Sequence, residues 1–337
     1  MIKIGISGYG RISRVVIRAA MAMDDIQIVG INKRNADIEY MEYMLRYDSV
    51  FGRFDKELGR YDKGLIINGK KVPVYSESDA SKIPWEECGA EYIMEGTGAY
   101  NTTEKAKAHL KAGAKKVIIS APAKDKETPT FVYGVNHEMY VKEYDVVSNA
   151  SCTTNCLAPT CKVLNDNYGI EGGLMSTIHA ATSKQSVVDS RSESDWRRGR
   201  SVFGNIIPST TGAAKAVGLV IPELEGKMTG ISYRVPVADV SIVDLNVKLK
   251  KSTTYADICA KMKEASETHM KGILEYVDDE VVSSDFLGDA HTSIFDSREG
   301  MEMNDKWFKL ISFYDNEFAY SAKTLEMIRH MYKVDHQ

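Results

Sequence analysis

Ile2-Lys3-Ile4-Gly5-Ile6-Ser7-Gly8-Tyr9-Gly10-Arg11-Ile12-Ser13 is the stretch that decides the fold. Its first residues alternate as those of a β-strand do, and a helical pattern begins at residue 11. Gly8 and Gly10 stand at the spacing of a Gly-x-Gly-x-x-Gly loop, where the glycines permit a tight turn and let a pyrophosphate approach the backbone at a helix start. Ser13 replaces the third glycine and is small enough for close packing. The position between strand and helix favours dinucleotide binding over a plain β-α turn.

The end of the second predicted strand indicates which dinucleotide this loop would take. An NAD site places an acidic residue roughly 20 residues beyond the loop, where it accepts hydrogen bonds from the ribose. The residues found there are Asn32, Lys33 and Arg34. Two cations without a carboxylate suit a 2′-phosphate, although both side chains could instead point into solvent. The sequence therefore favours NADP, with NAD as the alternative.

Residues 2–150 alternate short apolar strands with amphipathic helices. The predicted strands include 26–31, 116–120 and 145–148, and the predicted helices include 11–22 and 102–113. Such alternation predicts parallel β-α-β units wound into one sheet, an α/β fold of the doubly wound Rossmann type. We therefore assign residues 1–150 to a dinucleotide-binding domain.

The pattern changes after residue 150. A helical pattern over 153–166 is followed by longer alternating strands at 230–235 and 241–247. These features predict an α+β catalytic domain over 151–315, with a mixed or antiparallel sheet and helices on one side. The helical pattern of 317–333 predicts that a C-terminal segment, 316–337, returns to the first domain.

Length and composition exclude several classes of protein. A chain of 337 residues suffices for about two domains, and 43% hydrophobic with 27% charged residues are ordinary globular values. The 43 basic and 47 acidic residues give a net charge of −4, so neither nucleic acid nor a membrane is a predicted partner. No apolar run reaches the roughly 18 residues of a membrane span, and a strand that starts at residue 2 leaves no room for a signal peptide. We therefore expect a cytoplasmic protein.

The five cysteines form an odd, unevenly spaced set that supports neither a disulfide framework nor a zinc site, so no metal is predicted. Cys152 differs because it lies where a predicted strand gives way to a helix, whose dipole stabilises a thiolate. It is therefore a candidate nucleophile, whereas Cys156 is more simply a small buried residue. Seven histidines are candidate bases, and spacing alone pairs none of them with Cys152. His179 stands out because it ends an apolar strand-like run and precedes small and hydroxyl residues.

Three separated segments are the most specific motifs of the chain: Ala150-Ser151-Cys152-Thr153-Thr154-Asn155-Cys156-Leu157-Ala158-Pro159, then 205–217 (Asn-Ile-Ile-Pro-Ser-Thr-Thr-Gly-Ala-Ala-Lys-Ala-Val), and Tyr314-Asp315-Asn316-Glu317-Phe318. With these motifs the chain resembles the phosphorylating glyceraldehyde-3-phosphate dehydrogenase family, from Ile2 to Ser321. The resemblance implies that Cys152 attacks the aldehyde of glyceraldehyde 3-phosphate and that His179 takes the proton. Hydride would then pass to a nicotinamide, and inorganic phosphate would capture the thioester as 1,3-bisphosphoglycerate. It also implies a homotetramer in which the 180–205 loop reaches a neighbour's cofactor.

The resemblance also assigns anion-binding residues. Thr182 and Arg234 would hold the phosphate of the substrate. The attacking phosphate would be surrounded by Ser151, Arg198, Thr211 and Gly212. Thr153 and Lys184 complete the predicted substrate and phosphate site. Lys184 stands where the family has a hydroxyl, so it could strengthen phosphate binding, shift substrate choice or turn outward.

Twelve residues are predicted to contact the cofactor: Gly8, Gly10, Arg11, Ile12, Asn32, Lys33, Arg34, Ser120, Ser190, Arg191, Asn316 and Tyr320. Among them, Asn316 would orient the nicotinamide carboxamide, with Tyr320 beside it. The chain departs from the family pattern at Ser7, Ser13, Lys33, Ser78, Lys184 and Ser190-Arg191, and several of these positions cluster near the adenosine. Lys33, Arg34 or Arg191 could attract a 2′-phosphate, and one good charged hydrogen bond is worth roughly 10- to 100-fold in affinity. The resemblance therefore implies an enzyme that prefers NADP, with NAD possible.

Two other functions stay open at the level of sequence. One is a dehydrogenase for a related phosphorylated aldehyde such as erythrose 4-phosphate. The other is a diverged paralogue that binds a nucleotide without catalysis, against which the intact set of Cys152, His179 and Arg234 argues. RNA binding is a minor alternative because of the net charge and the lack of an RNA-recognition motif.

Overall fold

The computed structural model describes residues 1–193 and 195–337, which form two compact units. The first unit comprises Met1–Phe131, His137–Ala150 and Ser321–Gln337, and the second comprises Val132–Asn136 and Ser151–Tyr320. Each unit is built around its own sheet. Among the described residues, no helix combines the length and the apolar character needed to cross a membrane.

The first unit contains a sheet of eight strands. The strands of this unit are β1 (Ile2–Ser7), β2 (Ile26–Asn32), β3 (Tyr47–Asp48), β4 (Gly52–Arg53), β5 (Leu58–Tyr61), β6 (Gly64–Ile67), β7 (Lys70–Tyr75), β8 (Tyr92–Glu95), β9 (Lys116–Ile119) and β10 (Val146–Ser148). Its first helices are α1 (Arg11–Ala20), α2 (Ile38–Arg46), α3 (Trp85–Cys88), α4 (Thr103–Ala106) and α5 (Ala108–Lys111), with 3-10 helices at Ala80–Lys82 and His137–Met139. The sheet order is β10-β9-β8-β1-β2-β7-β6-β5, while β3 and β4 form a separate hairpin.

The strands from β10 to β7 are parallel, and β7, β6 and β5 are antiparallel. The chain winds outward from β1 in both directions, to β2 and β7 on one side and to β8, β9 and β10 on the other. In such sheets ligands bind at the carboxyl ends of the strands where the winding reverses. The loop after β1 therefore stands at the expected binding edge of the sheet.

The second unit contains a sheet of seven strands. Its elements are α6 (Cys152–Tyr168), β11 (Ile170–Ala180), β12 (Ile207–Thr210), α7 (Ala213–Val220), β13 (Met228–Val235), β14 (Ser241–Leu249), α8 (Tyr255–Glu267), β15 (Leu274–Val277), β16 (Ser293–Asn304) and β17 (Trp307–Tyr314), with 3-10 helices at Trp196–Gly199, Pro222–Leu224 and Ser283–Phe286. The order is β12-β13-β11-β14-β17-β16-β15, with parallel pairs β11-β13 and β15-β16 and antiparallel pairs elsewhere. Helix α6 packs on this sheet and contacts both α7 and α8. The last helix, α9 (Phe318–Asp335), lies mostly in the first unit.

The predicted fold class, a Rossmann-type parallel sheet followed by a mixed sheet, is confirmed. One predicted element differs from the structure. The helix expected over 102–113 forms two short helices, α4 and α5, which meet at Lys107. The backbone there tightens into bonds between residues three apart, as in the bond from the amide of Leu110 to the carbonyl of Lys107.

A buried polar network ties α3 and α5 to the end of β8. Trp85 Nε1 donates to His109 Nδ1 at 3.1 Å, so the other ring nitrogen carries the proton that His109 donates to Glu95 Oε2 at 2.9 Å. The second carboxylate oxygen of Glu95 accepts hydrogen bonds from the amide and the hydroxyl of Thr97. Trp85, His109 and Glu95 are all buried. The network therefore fixes the turn at Gly96 and Thr97, which contacts the turn that follows β1.

Candidate active site and nucleotide cavity

Cys152 is the first residue of α6. Ser151 caps this helix, since its Oγ accepts a hydrogen bond from the amide of Thr154 at 3.1 Å. Cys152 is partly exposed, whereas Cys156 is completely buried one turn later. Cys152 thus occupies the helix start that the sequence predicts, and Cys156 is the buried neighbour.

The environment of the Cys152 thiol acts on its pKa in opposite directions. Packing around the sulfur raises the pKa, while the positive charge of Arg234 and hydrogen bonds from Thr153 lower it. The net effect is a raised pKa, because the desolvation is the largest contribution. The raised pKa favours the thiol over the thiolate that the helix start alone would favour, so attack by the sulfur calls for a base.

The candidate base is His179. It lies near the end of β11, and its Nε2 is 3.5 Å from the sulfur of Cys152. Its Nδ1 lies 2.8 Å from the carbonyl oxygen of Ala180 and 2.7 Å from Nη1 of Arg234, which can only donate. The tautomer with its proton on Nδ1 donates to Ala180 and leaves the Nε2 lone pair facing the thiol, whereas the other tautomer accepts from Arg234. Burial and the charge of Arg234 lower the pKa of His179 to about 3. The imidazole is thus neutral at ordinary pH and able to accept a proton.

Arg234 lies on β13 directly beside His179, because the parallel pairing of β11 with β13 puts these two residues in register. Its Nη1 is 2.7 Å from Nδ1 of His179 and 3.3 Å from the carbonyl oxygen of Ala180. Burial lowers the pKa of Arg234, and the neighbouring charge of Arg198 adds to this effect. The guanidinium remains a cation and gives the site an anion-binding group.

The remaining predicted substrate and phosphate residues fall into three settings. Thr182 is half-buried, and its amide and hydroxyl both donate to Oε1 of Gln185 at 2.9 Å. Thr211 and Gly212 precede α7, where the hydroxyl of Thr211 accepts from the amide of Ala213 at 3.2 Å. Lys184, Arg198 and Gly212 are exposed.

Thr153 is buried and faces inward. Its hydroxyl forms a 2.9 Å hydrogen bond with the hydroxyl of Tyr314, which in turn lies 2.9 Å from the hydroxyl of Thr177. The Tyr314 ring meets the His179 ring edge to face, with centroids 6.0 Å apart. Tyr314 is thus a supporting residue that sequence reasoning missed, because it joins α6, β11 and β17 only after the chain has folded.

Asn316 and Tyr320 are both buried in the second unit. The Oδ1 of Asn316 accepts a hydrogen bond from Oγ of Ser241 at 2.5 Å, and Ser241 accepts one from the amide of Ala180 at 3.0 Å. Ser241 therefore links Asn316 to the residue that follows His179. No sequence signal pointed to Ser241, since it is 75 residues from Asn316.

A cavity of about 360 Å³ opens in the first unit at the carboxyl ends of β1 and β2. Predicted cofactor residues that line it are Gly8, Gly10, Asn32, Lys33 and Arg34. Gly8 has a φ of 99°, and a Cβ there would lie 3.1 Å from the backbone of Gly96 and Thr97. A Cβ at Gly10 would meet open space at the start of α1. This backbone cradle at a helix N-terminus fits the pyrophosphate of a dinucleotide.

The adenosine end of this cavity has a mixed charge. Asn32 uses its side chain to bind the backbone of Glu77, donating at 3.0 Å and accepting at 2.9 Å. Lys33 donates from Nζ to the carbonyl oxygen of Arg34 at 2.7 Å, and Arg34 is exposed. Glu77, which the sequence did not single out, also lines the cavity. Two basic residues and one acidic residue therefore line this end of the cavity.

The other predicted cofactor residues do not line this cavity. The guanidinium of Arg11 pairs with Asp48 and lies over the ring of Phe51, while Ile12 is half-buried in α1. Ser120 follows β9, where its amide donates to the carbonyl of Glu95 at 2.9 Å. Ser190 and Arg191 are exposed on the 180–205 loop.

Ser13 shows how the departure from three glycines is accommodated. The side chain is buried, and its Oγ would lie only 2.6 Å from a Cβ built on Gly96. Helix α1 thus packs closely against the turn after β8, because Ser13 fills the space that a side chain at position 96 would need. The close packing expected of a small residue at position 13 is present in the structure.

Comparison with known proteins finds matches over most of the chain. Residues 2–103 match the family model described as glyceraldehyde 3-phosphate dehydrogenase, NAD binding domain, and residues 151–316 match the corresponding C-terminal domain. Glyceraldehyde-3-phosphate dehydrogenase 2 of Mucor circinelloides f. lusitanicus is 54% identical over 333 residues, or 99% of this chain and 98% of that protein. Glyceraldehyde-3-phosphate dehydrogenase of Bacteroides fragilis is 56% identical over 331 residues, or 98% of each chain.

Proposed function

Because this chain belongs to the glyceraldehyde-3-phosphate dehydrogenase family, we propose that it oxidises and phosphorylates glyceraldehyde 3-phosphate, with a nicotinamide dinucleotide as electron acceptor. One observation supports the chemistry most directly. The sulfur of Cys152 lies 3.5 Å from Nε2 of His179, whose ring in turn contacts the guanidinium of Arg234. A thiol, a neutral base and a cation in contact are the groups that thiol addition to an anionic aldehyde requires.

In the first step the sulfur of Cys152 bonds to the aldehyde carbon, and the thiol proton passes to Nε2 of His179. The imidazolium returns that proton to the alkoxide, which gives a thiohemiacetal. His179 then removes the hydroxyl proton again as a hydride leaves the same carbon, and a thioester remains. A bound nicotinamide supplies the two-electron acceptor for that hydride.

In the second half an oxygen of inorganic phosphate bonds to the acyl carbon of the thioester. The carbon–sulfur bond breaks, and the sulfur leaves with its electron pair as a thiolate, which takes up the proton that His179 removed from the hydroxyl. The product is an acyl phosphate, 1,3-bisphosphoglycerate. The charge of Arg234, which already lowers the pKa of Cys152, favours the departing thiolate.

Two sets of anion-binding groups are proposed for these steps. Arg234 and Thr182 would hold the phosphate of the substrate. Ser151, Arg198, Thr211 and Gly212 would receive the attacking phosphate near the starts of α6 and α7, where the helix dipole favours an anion. Lys184 is exposed, so its side chain is free to move toward either phosphate, and we assign it to neither.

We further propose that the enzyme prefers NADP to NAD. The end of β2 lacks a carboxylate to bind the ribose diol, and Lys33 and Arg34 border the cavity. Glu77 opposes this preference, since its carboxylate would repel a 2′-phosphate. Two cations outnumber one carboxylate, and Arg191 of the exposed loop would add a third in a homotetramer.

The homotetramer is itself part of the proposal. The segment from residue 180 to 206 exposes an unusual number of large apolar side chains, which are Val187, Val188, Trp196, Phe203 and Ile206. Apolar groups concentrated on one exposed segment mark a surface that another subunit covers.

The test is an assay of nucleotide reduction with glyceraldehyde 3-phosphate, with and without inorganic phosphate. We expect turnover to require phosphate, to yield an acyl phosphate, and to be lost in Cys152→Ser but kept in Cys259→Ser, which alters a half-buried thiol of α8. A larger kcat/KM with erythrose 4-phosphate would reassign the substrate. If the protein reduces neither nucleotide and Cys152 does not react with iodoacetamide, the catalytic proposal is wrong.

A further inference from the structure

Residues Asp239, Val240 and Ser241 form a short bracket at the start of β14, which we call the 239–241 bracket. Ser241 joins Asn316 to Ala180, as described above. Val240 has a φ of 63°, a left-handed conformation that is unfavourable for a β-branched residue. Such strain persists only where neighbouring contacts hold the backbone in place. The contacts around the bracket therefore hold its backbone in place against the conformational strain at Val240.

Asp239 supplies the other end of the bracket and is 3% exposed. One carboxyl oxygen, Oδ1, accepts from the amide of Val240 at 2.8 Å. The other, Oδ2, is buried and has no hydrogen-bond donor among the described residues. The antiparallel pairing of Ser241 with Tyr314 brings the residues before β14 beside those after β17, and the carboxyl group of Asp315, which is 1% exposed, acts electrostatically on that of Asp239.

The carboxyl group of Asp315 is well supplied with donors. Its Oδ1 accepts from the amides of Glu317 at 2.9 Å and Phe318 at 2.7 Å, and its Oδ2 accepts from the amide of Gly288 at 2.8 Å. These amides stabilise the ionised form of Asp315, whereas Asp239 receives only one comparable bond. Of two neighbouring buried carboxyl groups, the one that accepts fewer hydrogen bonds is the easier to protonate, and here that group is Asp239.

We propose that Asp239 is a neutral carboxylic acid that donates a hydrogen bond to Asp315, and that it acts as a positioning residue for Asn316. The inference rests on the proposed function only in giving Asn316 the nicotinamide carboxamide as its ligand. Asp239 acts through two routes, directly on Asp315 and through Val240 and Ser241 on the side chain of Asn316. The hydroxyl of Ser241 donates to Oδ1 of Asn316 and leaves the amide nitrogen as the group that would donate to a ligand.

The electrostatic surroundings agree with this geometry. The titratable groups that act on Asp239 are Asp315 and Glu317, both acidic and both buried. Burial first, and then these two negative charges, raises the pKa of Asp239 to about 9. Above that pH the proton is lost, and two adjacent carboxylates repel each other at the base of the turn that holds Asn316.

Three variants distinguish the effect of the proton on Asp239 from a general effect on folding. Asp239→Asn keeps the shape and gives Asp315 a permanent donor, while Asp239→Ala removes the donor. Asp244→Asn is the matched control, because Asp244 lies on the same strand and pairs at the surface with Lys309 at 2.8 Å. Each purified protein is titrated with the preferred oxidised nicotinamide dinucleotide between about pH 7 and pH 10, and the dissociation constant is measured by tryptophan fluorescence.

The wild-type protein and Asp244→Asn are expected to lose roughly tenfold in nucleotide affinity as pH rises through the ionisation of Asp239. Asp239→Asn should keep its affinity across the same range, and Asp239→Ala should bind weakly throughout. Infrared difference spectra at pH 7 should show the carbonyl band of a protonated carboxylic acid, which Asp239→Asn lacks.

Superimposable pH profiles for the wild-type protein and Asp239→Asn, or the absence of that carbonyl band, would overturn the inference. Should the wild-type protein bind no nucleotide at any pH, the proposed function fails instead. The infrared measurement remains valid in that case, because it needs no ligand and tests the shared proton alone.

Discussion

At the scale of single residues, the imidazole of His179 lies between groups with different requirements. The thiol of Cys152 needs an acceptor at Nε2, whereas the carbonyl of Ala180 needs a donor at Nδ1. One neutral tautomer meets both requirements, whereas Arg234, whose Nη1 is a donor 2.7 Å from Nδ1, favours the other tautomer. Arg234 disfavours the doubly protonated ring, and burial does so more strongly. The same two effects keep His179 neutral before the reaction and favour the return of a proton from its imidazolium.

Replacement of His179 tests this role. We expect His179→Asn to lower kcat by roughly 100- to 10,000-fold, the usual contribution of general acid–base catalysis, with a smaller change in KM for the aldehyde. His336→Asn, at the exposed C-terminal end, serves as the control and should be unchanged. Steady-state kinetics measure both, and a kcat within a few-fold of the wild type would remove His179 from the proton transfer.

A second residue-scale prediction concerns cofactor choice. Lys33→Asp adds a carboxylate that binds the ribose diol and repels a 2′-phosphate. We expect the ratio of kcat/KM for NADP over NAD to fall by roughly 10- to 100-fold. Lys111→Asp makes the same change of charge on α5, which does not line the cavity, and should leave the ratio near that of the wild type. An unchanged ratio in Lys33→Asp would mean that Lys33 does not interact with the 2′-phosphate of NADP.

At the scale of secondary-structure elements, the turn after β8 is fixed from inside the first unit. Glu95 accepts hydrogen bonds from His109 and from both donors of Thr97, so each oxygen of this buried carboxylate has a donor. Thr97 in turn lines the nucleotide cavity and packs against Gly8. The cavity wall thus depends on a network whose other members lie in α3 and α5.

Removal of Glu95 should therefore affect stability and binding together. Glu95→Ala leaves the donor of the buried His109 without an acceptor and frees both donors of the exposed Thr97, and we expect a loss of about 3 kcal/mol in the free energy of unfolding. Glu91→Ala, which removes a partly exposed ion pair with Lys115, should cost less than about 1 kcal/mol. Urea-induced unfolding compares the two, and nucleotide titration should show weaker binding only for Glu95→Ala.

Much of this architecture follows from local pattern. The alternation at residues 2–6, the glycines after it and the helix that starts at Cys152 are each contained within a few residues, so periodicity and turn chemistry predict them. The pairing of Cys152 with His179 is different. It depends on α6 packing against the β11 sheet, and Arg234 joins them only through the register of β11 with β13. Contacts between Asn32 and Glu77, or between Ser241 and Asn316, are likewise set by tertiary packing, to which no periodicity in the sequence refers.

At the scale of the whole molecule, the proposed homotetramer predicts a specific sensitivity. Trp196 is 84% exposed in a single protomer, and burying a tryptophan commonly dominates an interface. We expect Trp196→Asp to shift sedimentation velocity from a tetramer toward smaller species, while Met139→Asp, a similarly exposed site in the first unit, leaves the tetramer intact. A monomeric wild-type protein, or a tetramer in Trp196→Asp at the same concentration, would contradict the proposal.

The 180–205 loop also affects the resistance of the protein to proteolysis in dilute solution. Exposed basic residues on it, Lys184, Arg191, Arg197, Arg198 and Arg200, are cleavage points for a trypsin-like protease when no neighbour covers them. Association would shield those peptide bonds by mass action. Resistance to digestion would then rise with protomer concentration, and newly made chains would be most vulnerable before they meet their partners.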